Sequence, residues 1–317
     1  MKPGNRSIVD KADIAVSNLV STGGYLTPIQ ANAFIRMLIE QPTILSQVRT
    51  VPMNAPTMEI NKIGFANRIL QVAPASGTAL AANKRSAPTT DQVTMSTKEV
   101  IAEVHIPYDV LEDNIERGSL EDTIMSMISE RAALDIEEWA LLGDTGSGDA
   151  FLAMVDGLLV QIDGSTAGHV VDYTATRPQI SKNVFKAGMK AMPNKYMRNR
   201  AAMKFWCSPA AEIEWQDSLA ARQTPLGDSK VQTWNVPQPA YGIPVESAAL
   251  MPDEQYILTY PKNVIFGIQR QIMIESDRDI RARVLIVVLT MRIDVKFEEA
   301  DAVVKCIGLA PNGTTTT

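Results

Sequence analysis

The clearest period-two pattern lies late in the chain. In "MRIDVKF", Met291, Ile293, Val295 and Phe297 alternate with Arg292, Asp294 and Lys296, which predicts a strand with one buried face. Ahead of it, from Tyr256 onward, "YILTY", "NVIFGI", "RQIMIE" and "RARVLIVVL" read as further strands, and "VLIVVLTM" from Val284 to Met291 is rich enough in β-branched residues to be a buried one. Earlier, "TMEINKI" from Thr57 to Ile63 places Met58 and Ile60 on one face, and alternation returns at Val93, Met95 and Thr97. The apolar phase then switches to Val100, Ala102, Val104 and Ile106, which predicts a bulge or bend near Lys98 and Glu99. Between the two arms, the stretch Gln71 to Val100 is dominated by Ala, Ser, Thr, Gly and Pro. The pattern is a long bent hairpin over 57–107 with a small-residue tip. A two-stranded ribbon is marginally stable by itself in water, and a loop of this length in a compact domain is either functional or disordered. We read it as an arm for a neighbouring subunit.

Helical spacing appears in three places. Thr27 can cap a helix that begins with Pro28, with Ile29, Ala33, Arg36, Met37 and Glu40 in helical register and Pro42 closing it. Ser119 precedes Glu121 and Asp122, acids suited to a helix N-terminus, and Leu120, Ile124, Met127, Ile128, Leu134 and Leu142 form a stripe ended by Gly143. That helix would be about 36 Å long at 1.5 Å per residue, enough to act as a spine. Residues 150–262 mix short apolar runs with prolines and one further helix from Ile180 to Met192. The fold class is α+β with an antiparallel sheet.

Composition narrows the function classes. At 317 residues and 45% hydrophobic the chain can bury a substantial core. A net charge of −6 excludes coating nucleic acid by bulk charge. The start "MKPGNRSIVD" lacks the apolar run of a secretory signal, and Val284–Met291 is too short to span a bilayer, so a soluble protein without a membrane partner is expected. Cys207 and Cys306 stand far apart and in no CxxC spacing, which points to a reducing compartment and to neither a disulfide framework nor a zinc site.

Candidate chemistry is sparse. "GDTGSGD", Gly143 to Asp149, contains the Asp-Thr-Gly of aspartic proteases, and a small β-rich hydrolase using Asp144 is one alternative. Here the string follows a helix instead of a strand, so a helix-ending turn accounts for it. His105 and His169 are the only histidines, and they form no HExxH or other metal cluster. No catalytic residue, cofactor or metal is therefore expected. Charge is more informative: Tyr108 to Glu138 carries ten acids against Arg117 and Arg131, while Tyr173 to Ala211 carries eight bases and no acid. Lys182, Lys186 and Lys190 share one helix face, which is either a solvated face or one that meets the acidic region of a neighbouring copy.

These pieces in their order resemble the major capsid proteins of tailed bacteriophages, whose fold is shared with encapsulin nanocompartments. The residues that carry the resemblance are "GGYLTP" at 23–28, the hairpin at 57–107, the acidic helix running into "EEWALLGDTGSGDAFLAMVDGLL", "YGIPVESAALMP" at 241–252, and "NVIFGIQRQIMIESD" through "MRIDVKFEEADAVVKCIGL". The resemblance implies an N-terminal arm at 1–50, an extended loop at 51–107, a peripheral domain with a spine helix at 108–150, an axial domain at 151–262, returning peripheral strands at 263–310 and a flexible tail at 311–317. It implies a structural protein, not an enzyme, that self-assembles into the hexamers and pentamers of an icosahedral shell. That shell would enclose a double-stranded DNA genome without sequence-specific binding, as part of a virion assembled in the host cytoplasm. Scaffolding, portal and decoration proteins are the implied partners, and an encapsulin-type shell around enzyme cargo is the alternative. Intersubunit contacts are expected at Arg68, Pro74, Gly77, Lys84 and Arg85 in the loop, and at Glu112, Asp113 and Glu116 before the spine helix. Lys182, Lys186, Lys190, Arg198 and Arg200 are the expected contacts in the basic stretch.

Overall fold

A computed structural model describes residues 44–65, 68–75, 78–109, 120–165, 168–220 and 238–310, except for the side chains of 120–125 and 270–274. The helix expected between Thr27 and Pro42 and the tail at 311–317 lie outside the described residues.

Two sheets and a detached ribbon organise the chain. The first sheet has the order β1-β9-β10-β4, formed by Arg49–Met53, Val264–Asp279, Val284–Phe297 and Lys98–Pro107. Its centre is the long β9–β10 hairpin, antiparallel from Val264↔Phe297 to Asp279↔Val284 with a register shift at Met291. Four of the five segments that read as separate strands from Tyr256 onward are thus two continuous ones, while "YILTY" falls in the second sheet. Gln269 and Arg270 extend "NVIFGI" directly into "RQIMIE", and the irregularity falls on β9, where four steps from Gln269 to Met273 face the two from Arg292 to Thr290 of β10. In β10 every second side chain, from Leu285 to Phe297, is buried, as the alternation requires.

One helix, α1 (Leu120–Leu142), packs on this sheet through Ala133, Ile136, Trp139, Ala140 and Leu141. The buried face differs from the stripe read in the sequence: Met127 and Leu134 are 64% and 42% exposed. The inward positions include alanines, Ser129 and Glu137, which carry no apolar signal of their own. Glu137 is buried because its carboxylate accepts the N–H of Ile44 at 2.9 Å, fixing the described start of the chain, with Ile44 and Leu45, in the same core. The helix ends as expected at Gly143, where the chain crosses closely over itself. Gly157 donates to the Gly143 carbonyl at 2.7 Å, and a Cβ at Gly157 would lie 2.6 Å from the Gly143 nitrogen. Only glycine fits such an approach. The short helix α2 (Leu158–Gly164) then buries Leu158, Leu159 and Ile162 in the core shared with α1.

The second sheet has the order β5-β11-β8-β6-β7, formed by His169–Asp172, Val303–Ile307, Tyr256–Thr259, Lys204–Cys207 and Val245–Ser247. Helices α3 (Lys182–Ala191) and α4 (Pro209–Ala220) cover the same face of it. Phe185 of α3 stands 4.7 Å from Phe205, 5.0 Å from Trp215 of α4 and 5.3 Å from Tyr256, ring centre to ring centre. Such aromatic pairs each add about 0.5–1.5 kcal/mol beyond the area they bury. The second sheet is tied to α2 by Lys305 of β11, whose ammonium, 6% exposed, binds Asp163 at 2.6 Å and the Leu159 carbonyl at 3.2 Å.

The ribbon pairs β2 (Thr57–Gly64) with β3 (Thr89–Ser96), antiparallel from Thr57↔Ser96 to Gly64↔Thr89. It is shorter than the hairpin read over 57–107. The break falls at Thr97, and the chain beyond it, β4, leaves the ribbon to form the edge of the first sheet against β10. The switch of apolar phase in the sequence marks this change of partner.

Candidate intersubunit surfaces

The ribbon stands on a short polar root. Beyond Lys98, β4 no longer pairs with β10, and the carboxylate of Asp294 takes over: one oxygen accepts the Ser96 N–H at 2.7 Å and the other its neighbour Val295 N–H at 2.8 Å. Asp294 is 1% exposed, and burial pushes its carboxyl above the ordinary carboxylate range despite those two bonds and nearby Lys296 and Lys98. Thr97 donates from its hydroxyl to Gln269 Oε1 at 2.7 Å, and its N–H meets the Pro56 carbonyl at 2.9 Å. Beneath these bonds Met53, Met95 and Ile265 form a small buried cluster, flanked by Met58 and Ile60 as the alternation predicts. Farther out, Lys62 binds the Glu298 carbonyl at 2.5 Å and Asp91 at 3.1 Å, and its hydrogen bond holds the Asp91 carboxyl below its ordinary range.

Outward from this root the ribbon buries almost nothing. Ile63, Phe65, Ile69, Leu70 and Val72 are 75%, 53%, 53%, 85% and 90% exposed. Five large apolar side chains within ten residues is a patch, not a scatter of single exposed residues. They are not among the residues expected from the sequence, although "FANRILQV", just before the small-residue tip, carries the signal. Of the residues expected here, Arg68, Pro74, Lys84 and Arg85 are all exposed, and Gly77 lies outside the described residues. The Arg68 carbonyl accepts the Ser86 hydroxyl at 3.1 Å, and Arg85 Nε donates to the Leu80 carbonyl at 3.0 Å, so both shape the loop itself.

A second apolar surface lies on the first sheet. Between edge strand β4 and α1 runs a groove of about 370 Å³, lined by Val100, Ile101, Val104, Met127, Ile128 and Phe151 among others. Ile101 is 66% exposed at its rim. Met127, the position that departs from the buried stripe of α1, is therefore part of this groove.

The remaining candidates separate clearly. Lys182, Lys186, Lys190, Arg198 and Arg200 are exposed, the first three on the face of α3 opposite buried Val184, Phe185 and Gly188. Glu112, Asp113 and Glu116 lie outside the described residues. Asp144 forms a turn: its Oδ1 accepts the Gly146 N–H at 2.8 Å and its own N–H donates to Leu152. His105 binds Glu103 at 2.6 Å, and His169 binds Asp301, a carboxylate held below its ordinary range first by Lys195 and then by His169. Both cysteines are buried core residues, and loss of solvation pushes the Cys306 thiol up to about 12 and Cys207 higher still. No helix among the described residues is long and apolar enough to cross a membrane.

The comparisons with known proteins agree on one family. The model of the phage capsid family matches residues 23–306. The Bacillus subtilis (strain 168) protein named "Putative prophage capsid protein YqbE" is 45% identical over 315 residues, covering 96% of this chain and 98% of that one. Among solved structures, a chain of the satellite phage P4 procapsid that includes the size determination (Sid) protein superposes with a TM-score of 0.70 at 13% identity. The match covers 97% of this chain and 98% of the other. The holo-SrpI encapsulin of Synechococcus elongatus PCC 7942 gives 0.54 at 12% identity over 87% and 91%. The α+β architecture of two sheets, a projecting ribbon and a long helix is thus that of tailed-phage capsid proteins, a fold shared with encapsulins. With nearly its whole length matched and a prophage relative identical at 45% of positions, the chain belongs to the phage capsid family of structural proteins.

Proposed function

We propose that this chain is a major capsid protein, whose copies form the hexamers and pentamers of a closed icosahedral shell around double-stranded DNA, without catalysing a reaction. The observation that carries the reading is the apolar patch on the ribbon. Ile63, Phe65, Ile69, Leu70 and Val72 are largely exposed among the described residues, and burying a large aliphatic or aromatic side chain is worth about 1.5–3 kcal/mol. The ribbon becomes an arm when a second copy supplies a surface to cover them, and the groove between β4 and α1 of the neighbour is the apolar surface of matching character. Arm and groove are different patches of one chain, so the contact is heterologous and repeats from copy to copy until it closes. Scaffolding, portal and decoration proteins would act on the shell so built, in the cytoplasm of the host. The prophage relative favours a genome over an enzyme cargo as the content.

The test is sedimentation velocity with negative-stain electron microscopy on the purified chain and on a Phe65→Ser/Leu70→Ser/Val72→Ser variant. Shells or capsomer rings from the parent and a folded, unassembled variant are expected. Equal assembly of both would remove the arm from the account, and a parent that stays monomeric with its coexpressed scaffold would overturn the shell itself.

A further inference from the structure

The edge strand β4 is ten residues long and pairs with β10 on one side only. Which residues face the open side follows from one bond. The Tyr108 N–H donates to the Arg283 carbonyl at 3.0 Å, and Pro107 stands opposite Val284, so Tyr108 and Arg283 are a hydrogen-bonded pair of the antiparallel ladder. Such pairs recur at every second residue, so Ile106, Val104, Ala102, Val100 and Lys98 turn their backbone groups toward β10. Glu99, Ile101, Glu103 and His105 turn theirs outward, and among the described residues those groups have no backbone partner. The outward run is bounded at both ends. Pro107, which has no N–H, follows it, and before it the Thr97 N–H is taken by the Pro56 carbonyl at 2.9 Å. Four donors and four acceptors in one row are a template for another strand.

The arm carries a segment that fits this template. Residues 69–73, "ILQVA", are exposed, and among the described residues their N–H and carbonyl groups make no backbone hydrogen bond. The segment holds β-branched Ile69 and Val72 and ends at Pro74, which cannot donate. Strand alternation puts Leu70 and Val72 on one face. Laid beside β4, the segment turns that face to the groove lined by Val100, Val104 and Met127. Charge favours this occupant over a second β4. Two β4 edges side by side would bring Glu99 and Glu103 against their own copies, whereas residues 65–90 contain Arg68, Lys84 and Arg85 and no acid.

We propose that residues 69–73 of one copy add to the outward backbone groups of Glu99, Ile101, Glu103 and His105 in the next copy, as a fifth strand of its first sheet. This rests on the arm reading above and specifies how the arm is held. Backbone hydrogen bonds along β4 fix its position, and the side chains of Leu70 and Val72 in the groove supply the apolar burial. The added strand also covers an edge that would otherwise pair with any exposed strand it met.

The experiment combines two substitutions at Glu103 with hydrogen exchange. Glu103→Pro removes an outward N–H that β10 does not use, so circular dichroism and urea denaturation should show a folded chain. Glu103→Ala keeps that N–H, and both variants lose the contact with His105. Glu103→Pro is expected to need about tenfold more subunit than Glu103→Ala before shells sediment, because it leaves an acceptor of the arm unpaired. Equal thresholds overturn the proposal. In shells of the parent, the amides of residues 69–73 should exchange at least about tenfold more slowly than in the unassembled subunit. Equal exchange in both states overturns the proposal as well, and that readout holds whether or not Glu103→Pro folds. The arm itself is judged separately. If Phe65→Ser/Leu70→Ser/Val72→Ser blocks assembly while the amides of 69–73 stay unprotected in parent shells, the arm docks by side chains alone and only the added strand is refuted. Assembly of that triple variant at the parent threshold removes the arm, and the strand with it.

Discussion

Asp294 is the position where a single atom should matter most. Its two carboxylate oxygens each accept a backbone N–H, from Ser96 at the root of the ribbon and from Val295. In Asp294→Asn one of those oxygens becomes an NH2 group, so whichever way the amide turns, a donor faces a donor. A hydrogen bond to a charged group contributes about 1.5–3 kcal/mol, and a buried N–H left without a partner costs about 1–3 kcal/mol. Against this stands the relief of a buried charge, whose cost shows as the upward displacement of the Asp294 carboxyl. The net expectation is a loss of about 1–2 kcal/mol at neutral pH, read by urea denaturation of the unassembled subunit. The sign of the pH dependence follows from the same displacement. Between the ordinary value of 3.8 and the raised folded value the native chain binds more protons than the unfolded chain at this site. The contribution of Asp294 to stability therefore grows as pH falls through that window. The variant lacks this gain, so the gap between parent and variant should widen toward acid. A variant as stable as the parent at neutral pH, or a gap that narrows on acidification, would refute the account of the root.

Three further outcomes are expected. Gly157→Ala should cost about 1–3 kcal/mol by the same denaturation assay, because its Cβ would meet backbone atoms at 2.6 and 2.8 Å that cannot move aside. Lys305→Met should stay within about 1 kcal/mol of the parent, since it keeps the volume and leaves Asp163, 49% exposed, to water; Lys305→Ala, which also opens a cavity, should cost about 2 kcal/mol or more. Cys207 and Cys306 should resist a thiol reagent at pH 8 in the folded subunit and react fully in denaturant, because burial holds both thiols protonated far above that pH.

Much of the fold is written in local patterns. Alternation identified β10 and its buried face, the return at Val93 and Met95 identified β3, and Gly143 marked the end of α1. What stayed hidden depends on partners distant in sequence. The end of the ribbon at Thr97 is set by β10, whose Ile293 pairs with Lys98 and whose Asp294 pairs with no residue of β4. Asp294 sits between Ile293 and Val295 like a solvated strand residue, and only the ribbon lying over it makes it a buried acceptor. The inward face of α1 was obscured because Ala133, Ala140 and Glu137 fill it, while Met127 faces the groove. The apolar patch from Ile63 to Val72 was legible as composition, but its exposure was not, since nothing local separates an apolar run that meets its own core from one that lacks it.

The central claim is that the arm is buried by a neighbour. An electron cryomicroscopy reconstruction of the assembled particle tests it directly. The account predicts Phe65, Leu70 and Val72 of each subunit covered by the groove between β4 and α1 of the adjacent one, with Ile101 and Met127 in contact. An arm folded back on its own subunit, or left in solvent within an intact shell, would contradict it.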